Sequence, residues 1–81
     1  MRDLVEYLAK ALVEHPDQVS VTQREEEETI IIELRVLSED MGKVIGKQGR
    51  IAKSIRTLVK ASADQDERKK IAVDIMPRDE A

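Results

Sequence analysis

The residues best suited to chemistry lie in one segment, residues 44–51, with the sequence VIGKQGRI. Its centre is a four-residue loop, Gly46, Lys47, Gln48 and Gly49, with Arg50 directly after it. Glycine permits positive φ and, because it has no Cβ, lets another backbone approach closely. A helix that begins at Gly49 or Arg50 also points unpaired N–H groups and the positive end of its dipole at the loop. These features suit the binding of a phosphodiester backbone.

The charge around the loop supports this interpretation. Residues 41–60 include no Asp or Glu and six basic side chains: Lys43, Lys47, Arg50, Lys53, Arg56 and Lys60. The 81-residue chain has a net charge of −3, so the rest holds eight basic against seventeen acidic residues. Ordinary solvated helix faces mix both signs, and the absence of acids therefore favours a binding role. Lys60 lies almost three turns beyond Arg50 and is expected to add general positive potential.

Composition and spacing exclude several other chemistries. The chain has no cysteine, and His15 is its single histidine, expected at a helix end, so thiolate zinc sites and Cys-His catalysis are ruled out. A P-loop needs four residues between its glycines and a Ser or Thr after its lysine. Here three residues separate Gly42 from Gly46, and Gln48 follows Lys47. We therefore expect a protein that is not an enzyme and uses no metal or cofactor.

Hydrophobic spacing predicts three helices. The first covers residues 3–14 and ends before Pro16. A short helix over about 39–45 is predicted to have Ser38 as its N-cap and to stop at Gly46, with Gly42 inside it for packing. The longest begins at Gly49 or Arg50 and reaches about residue 63. Its predicted apolar side consists of Ile51, Ile55, Leu58 and Ser62.

Alternating residues predict three strands, at 19–22, 29–37 and 71–75. The acidic run 24–28 is expected to form a solvated hairpin loop, and residues 64–70 a polar connection. The element order is α-β-β-α-α-β, which predicts an α+β fold with three helices packed on one face of a three-stranded sheet. The chain is expected to be one domain, 1–81, with an ordered core at about 3–76 and a polar tail at 77–81. Without a long apolar segment, it is expected to be cytoplasmic, with no membrane insertion.

The segment VIGKQGRI resembles the signature of KH domains, which are single-stranded RNA-binding modules built around a GxxG loop. The element order corresponds to the bacterial, type II arrangement. The longer string MGKVIGKQGRIAKSIRTLVK, residues 41–60, is similar to the small stand-alone bacterial KH proteins of the KhpA/YlqC family. The close similarity covers about residues 38–62, and the order of elements extends it over nearly the whole chain.

This resemblance implies a type II KH domain that clamps about four nucleotides of single-stranded RNA. Gly46 and Gly49 would let the phosphates approach, while N–H groups around residues 47–50 donate to them. The implied contact residues are the loop (Gly46, Lys47, Gln48, Gly49), the cations Arg50, Lys43 and Lys53, and the groove walls Val44, Ile45 and Ile51. Aliphatic walls are typical of the family, so the near absence of aromatic residues does not count against it.

The resemblance also implies an RNA-chaperone or post-transcriptional role, linked to cell division and cell shape. A second interpretation is a protein-interaction module that forms a homodimer, or a heterodimer with a larger KH-containing protein of the Jag/KhpB type. Helix 50–63 is then a candidate interface, if Leu58 or Val59 is left uncovered. A helix-hairpin-helix DNA binder is disfavoured by the strand signals at 29–37 and 71–75. A plain helix–helix turn that needs glycine only for tightness remains open.

Overall fold

The structure, a computed structural model, describes residues 2–62 and 70–79 of the chain. Its helices and strands follow one another as α1 (Arg2–Leu12), β1 (Ser20–Glu26), β2 (Thr29–Val36), α2 (Met41–Ile45), α3 (Arg50–Ser62) and β3 (Lys70–Pro77). Short 3₁₀ turns cover Pro16–Gln18, Ser38–Asp40 and Lys47–Gly49. The predicted order α-β-β-α-α-β is therefore confirmed. Within the described part, no helix is both long and apolar enough to cross a membrane.

The three strands form one mixed sheet in the order β1-β2-β3. β1 and β2 are antiparallel, with Val21 opposite Leu34, and β2 and β3 are parallel, with Ile32 opposite Val73. The central strand buries every second side chain: Ile30, Ile32, Leu34 and Val36. Because side chains alternate along a strand, these four lie on one face of the sheet, as the sequence predicted.

All three helices contribute to the core on that face. Val5 and Ala9 of α1, Val44 of α2, and Ile55 and Val59 of α3 belong to the same buried cluster as the sheet residues. The other face of the sheet is mixed, since Ile31 and Met76 lie on it beside charged residues, of which Arg24 donates to Glu33 across the strands at 2.6 Å. The predicted α+β architecture, with helices on one side of the sheet, is confirmed.

The helices differ in detail from the prediction. α1 ends at Leu12, two residues early. α3 buries Ala52, Ile55 and Val59, and leaves Leu58 47% exposed. The predicted apolar side, which included Leu58 and Ser62, was therefore wrong by a rotation about the helix axis.

The acidic run was predicted to form a loop, but most of it is strand. β1 continues through Glu26, and Arg24 and Glu25 pair with Ile31 and Ile30 of β2. Pairing with β2 satisfies the backbone groups on one side of β1, and the side chains of residues 22–26 are exposed, so this part of the strand needs no apolar residue. The turn that remains is formed by residues 27–28.

The ordered structure also extends beyond the predicted limit at residue 76. Pro77 belongs to β3, and the N–H of Arg78 donates to the Val36 carbonyl at 2.7 Å. Asp79 then accepts hydrogen bonds from Ser38, so residues 77–79 are part of the fold and not a tail. Lys70 lies in β3. The rest of the predicted polar connection, residues 64–69, and residues 80–81 lie outside the described part.

Candidate nucleic-acid interface

The loop between α2 and α3 reverses the chain through three residues with positive φ. α2 ends where the N–H of Gly46 donates to the Gly42 carbonyl at 2.9 Å. Gly46 has φ 76° and ψ 177°, a combination that is essentially restricted to glycine. Gln48 (φ 57°) and Gly49 (φ 73°) follow in left-handed conformations. The predicted helix end at Gly46 and helix start at Arg50 are both confirmed.

The two loop glycines are needed for different reasons. A Cβ added to Gly46 would lie 2.6 Å from Cγ1 and 3.0 Å from Cβ of Ile51, so side-chain space is absent there. A Cβ on Gly49 would meet nothing within 4 Å, and only its positive φ favours glycine. Gly46 therefore fixes how closely the loop approaches α3, and Gly49 fixes the direction of the turn.

Gly42 was expected to serve packing inside α2, and the structure corrects this. Its residue is exposed, and a Cβ built there would meet nothing within 4 Å. A glycine in a helix costs roughly 0.5–1 kcal/mol relative to alanine. No neighbouring atom among residues 2–62 and 70–79 requires glycine here, so within this part of the chain the surface of α2 beside the loop is open.

The predicted cations are available to different degrees. Lys47, Arg50 and Lys53 are exposed, and within residues 2–62 and 70–79 none of them forms an ion pair. Lys43 is also exposed, but its Nζ lies 3.8 Å from a Glu14 carboxylate oxygen. Gln48 is exposed at the tip of the loop. The structure thus brings the loop and three uncompensated cations together at the start of α3.

Arg56 does not point outward with the rest of the basic residues. Its Nε and one terminal nitrogen donate to the Val73 carbonyl of β3, at 3.3 and 3.2 Å. This side chain therefore joins α3 to the outer strand of the sheet. Lys60 is exposed at the other end of α3 from the loop, as the sequence suggested.

The three residues predicted to form the groove wall are not equivalent. Val44 is fully buried, and its side chain packs α2 onto the core. This corrects the expectation that the Val44 side chain forms part of the groove wall. Ile45 and Ile51 are only partly buried, and both pack against the edge of the core. These two side chains are the apolar groups at the loop that a ligand can contact.

Backbone hydrogen bonds within the loop limit the donors it can offer. The Gly49 N–H donates to the Gly46 carbonyl at 3.3 Å, and the Arg50 N–H donates to the Lys47 carbonyl. The prediction placed phosphate donors throughout residues 47–50. The N–H groups of Lys47 and Gln48 are the remaining candidates.

Asp40 is a structural residue that the sequence did not identify. It is 1% exposed, and its two carboxylate oxygens accept the backbone N–H groups of Glu14 (3.3 Å) and His15 (3.1 Å). His15 is partly buried, and its Nε2 lies 3.2 Å from a Glu39 oxygen. Glu14, His15 and Asp40 offer ligand atoms within 4.8 Å of one another, but both Asp40 oxygens are already engaged. The cluster therefore ties the end of α1 to the segment before α2.

Ser38 was predicted to cap the short helix, and this was wrong. Its Oγ donates to Asp79, and no side chain at Leu37 or Asp40 caps the following turns either. The capping carboxylate comes from a residue 41 positions further along the chain. No local sequence signal could have indicated this pairing.

Comparison with known proteins agrees with the fold. Residues 2–75 match the family model for the KH domain of KhpA/KhpB. An RNA-binding protein KhpA from Clostridium perfringens is 59% identical over 76 residues, which cover 94% of this chain and all of that protein. The protein of the same name from Caldanaerobacter subterraneus is 58% identical over 76 residues, with the same coverage. One from Aquifex aeolicus is 54% identical over 61 residues, covering 75% of this chain and 77% of its own.

No solved structure gives a significant match to the chain. The family-model match nevertheless spans nearly all of it and includes the whole of the loop between α2 and α3. The fold, the position of the loop and the close relatives lead to one conclusion. This chain belongs to the KhpA/KhpB KH-domain family.

Proposed function

We propose that this protein binds single-stranded RNA without catalysis, by clamping the phosphodiester backbone at the loop Gly46–Gly49. The observation that carries the proposal is the combination of an exposed positive-φ loop with three cations that no carboxylate of the described chain neutralises. Its curated relatives are named RNA-binding proteins, which supports the ligand class.

In this proposal the N–H groups of Lys47 and Gln48 donate to a phosphate at the tip of the loop. Lys47 and Arg50 place positive charge on either side of it, and Lys53 lies about one turn further along α3. Ile45 and Ile51 provide apolar contacts for the sugar and base that follow. Gly46 and Gly49 keep the approach free of Cβ atoms, as GxxG loops do when they hold about four nucleotides.

The small number of cations sets the expected strength of binding. Each neutralised phosphate contributes a slope of about −0.7 to the dependence of log K on log salt concentration for single strands. With two or three contacts from Lys47, Arg50 and Lys53, the slope should be about −2. Binding through one such site is therefore expected to be modest and salt-sensitive. A second RNA-binding site on a partner would raise it by avidity.

The double variant Lys47→Asp, Gln48→Asp tests the proposal directly. Both side chains are exposed, so the fold should survive, while the change of three charge units should abolish binding of short random-sequence RNA. The matched control is Lys60→Asp, Ser62→Asp, which makes the same change in net charge at the other end of α3. RNA titration and a thermal melt on each variant decide the outcome. If both variants lose RNA affinity equally, the loop contributes only general charge. If the loop variant keeps full RNA affinity, the clamp is refuted.

A chaperone-like or post-transcriptional regulatory role is the cellular function we infer with this activity. Support comes from the family alone, because a fold hosts many functions and only the site is argued physically. Strand-annealing and melting assays with the wild type and the loop variant separate RNA chaperoning from simple binding. Equal activity in both proteins would contradict a role that depends on the loop.

A second function, self-association or pairing with a larger KH-containing protein, is favoured by one observation on α3. Its outer side presents the uncharged residues Ser54, Thr57, Leu58 and Ala61 at helical spacing. The hydroxyl groups of Ser54 and Thr57 donate to carbonyls of their own helix, each at 3.0 Å, so this side is weakly polar. A shallow depression of about 420 Å³ is lined by Lys53, Ser54, Thr57 and Leu58.

Light scattering after size exclusion tests this second function. If α3 forms the interface, Leu58→Glu should convert a dimer to a monomer while the domain stays folded, because Leu58 is half exposed. Tyr7→Glu is the matched control, since Tyr7 is an exposed apolar side chain on α1. A monomeric wild type would exclude self-association, and co-elution with a KH-containing partner would then test the heterodimer.

A further inference from the structure

The end of the chain contacts the segment that leads into the loop. One carboxylate oxygen of Asp79 accepts the backbone N–H of Ser38 at 2.7 Å, and the other accepts the Ser38 hydroxyl at 3.0 Å. Ser38 opens the 3₁₀ turn that runs directly into α2, and α2 ends at Ile45, directly before Gly46. A single carboxylate thus holds the start of the unit whose other end is the loop.

Asp79 is itself held in place by its neighbour. The N–H of Arg78 donates to the Val36 carbonyl at 2.7 Å, which extends the pairing of β3 with β2 by one residue. The Arg78 guanidinium donates to the Gln18 carbonyl at 3.2 Å. With these two contacts on residue 78, the Asp79 side chain is directed at Ser38 by a fixed backbone.

The segment before α2 has anchors on two sides. Asp79 binds it at Ser38, and Asp40 binds the end of α1 through the N–H groups of Glu14 and His15. Neither Leu37 nor Asp40 provides a side-chain cap for the turns that start there. Because the 3₁₀ turn has three residues and α2 only five, a displacement at Ser38 is transmitted to Gly46 through little more than two helical turns.

We infer that Asp79 is a positioning residue for the RNA-binding loop, acting through Ser38 and α2. The inference rests on the proposed function for its effect on RNA, and on the contacts alone for its effect on the loop. The family-model match ends at residue 75, so Asp79 lies outside the matched region while its partner Ser38 lies within it. Residues 78–79 of this chain therefore adjust a site that the shared domain supplies.

The experiment compares Asp79→Ala, Asp79→Asn and Ser38→Ala with the wild type. Short random-sequence single-stranded RNA is titrated at a temperature where every variant is fully folded. Asp79→Ala should weaken binding about fivefold, the effect of losing roughly one such hydrogen-bonded contact. Asp79→Asn keeps an acceptor for the Ser38 N–H and should recover most of the affinity, and Ser38→Ala, which loses only the hydroxyl contact, should resemble it.

Hydrogen exchange provides the readout that a loss of global stability would not reproduce. In Asp79→Ala the amides of Gly46 and Arg50, both hydrogen-bonded at the loop, should exchange faster, while those of α1 stay unchanged. Val5→Ala is the control, because it removes buried side-chain volume in the core at α1 and should speed exchange throughout the domain.

The outcomes separate the two proposals. If the wild type binds no RNA, the proposed function fails, and the exchange data alone decide whether Asp79 positions the loop. If the wild type binds RNA and Asp79→Ala binds equally well with unchanged loop exchange, the positioning role is refuted. Loss of affinity in Val5→Ala equal to that in Asp79→Ala would also refute it, because stability alone would then explain the effect.

Discussion

The Ile51 side chain occupies the space that any side chain on Gly46 would need. Three of its carbon atoms lie within 3.0 Å of the position of a Cβ on Gly46, and one of them is the Ile51 Cβ itself, which cannot move away by a rotamer change. The first residue of the loop and the second residue of α3 therefore lie too close together for a side chain at position 46.

Substitution of the two loop glycines should therefore have unequal costs. Gly49→Ala introduces only left-handed strain and should lower the free energy of unfolding by about 1–2 kcal/mol. Gly46→Ala adds a clash to a glycine-only conformation and should cost about 3 kcal/mol or more. Urea denaturation of both variants measures the difference.

A double-mutant cycle isolates the clash. Ile51→Ala removes Cγ1 and Cδ1, so Gly46→Ala should cost less in that background than in the wild type. Strictly additive effects would mean that strain at φ 76° alone accounts for the glycine, and the contact with Ile51 would lose its role.

Gln48 carries strain that a substitution can remove. It is the one non-glycine residue with positive φ in the described part of the chain, at 57°. Gln48→Gly should raise the free energy of unfolding by up to about 1 kcal/mol, because relief of left-handed strain exceeds the entropy that glycine adds to the unfolded state. Lys47→Gly, at an ordinary φ, should lower it by roughly 0.5–1 kcal/mol. The free energies of unfolding can be measured by thermal or urea melts. If both substitutions change the free energy of unfolding in the same direction, the backbone strain at position 48 is contradicted.

A substitution at Gly42 tests whether the RNA backbone passes over the surface of α2 beside the loop. Gly42→Ala should stabilise the domain by about 0.5–1 kcal/mol, since the added methyl group meets no atom of the described residues within 4 Å and alanine favours helix. If an RNA backbone passes over α2 beside the loop, the same methyl group should weaken binding. A more stable protein with lower affinity is thus the expected result of paired melts and titrations. Unchanged affinity would show that RNA does not approach α2 at this point.

The features that the sequence predicted well are those that depend on the pattern of residues within a short segment. The alternation of Ile30, Ile32, Leu34 and Val36 determined the central strand and its buried face. Gly46 marked the end of α2, because a helix stops where φ becomes positive. Such signals depend on residues within a few positions of one another, so they could be interpreted without knowledge of the tertiary fold.

The features that were missed depend on distant partners. Asp79 and Ser38 are 41 residues apart, and Arg56 and Val73 are 17 apart. A single carboxylate or guanidinium does not recur along the sequence in a periodic pattern. Its partner in both pairs is in large part a backbone group, which every residue has, so the residue type of the partner gives no indication of the contact. The rotation of α3 was missed because the small Ala52 is inconspicuous in the sequence, yet it is buried.

Removal of the Asp40 carboxylate should be among the most destabilising single changes. Asp40→Ala leaves two backbone N–H groups without their acceptor in a buried site, and should cost about 2–4 kcal/mol. Asp40→Asn keeps one acceptor but presents an amide to the other N–H, so an intermediate loss is expected. Glu39→Gln, a change at an exposed neighbour, is the control and should stay within about 0.5 kcal/mol in urea denaturation. A mild effect of Asp40→Ala would show that water replaces the carboxylate.

The contact between Asp79 and Ser38 should also give stability a dependence on acid pH. The hydrogen bond from the Ser38 N–H, assisted by the Ser38 hydroxyl, lowers the pKa of Asp79 below its usual 3.8. The unfolded state then binds the proton more readily, so the stabilisation is complete well above pH 3.8 and is lost as pH falls through the folded-state pKa.

Asp79→Asn cannot ionise, and its free energy of unfolding should lie below that of the wild type near neutral pH and approach it in acid. Ser38→Ala should retain most of this pH dependence, because the backbone N–H is the larger cause. Urea denaturation across this range provides the test, and wild-type and Asp79→Asn curves that stay parallel into acid would contradict an ionised Asp79 at Ser38.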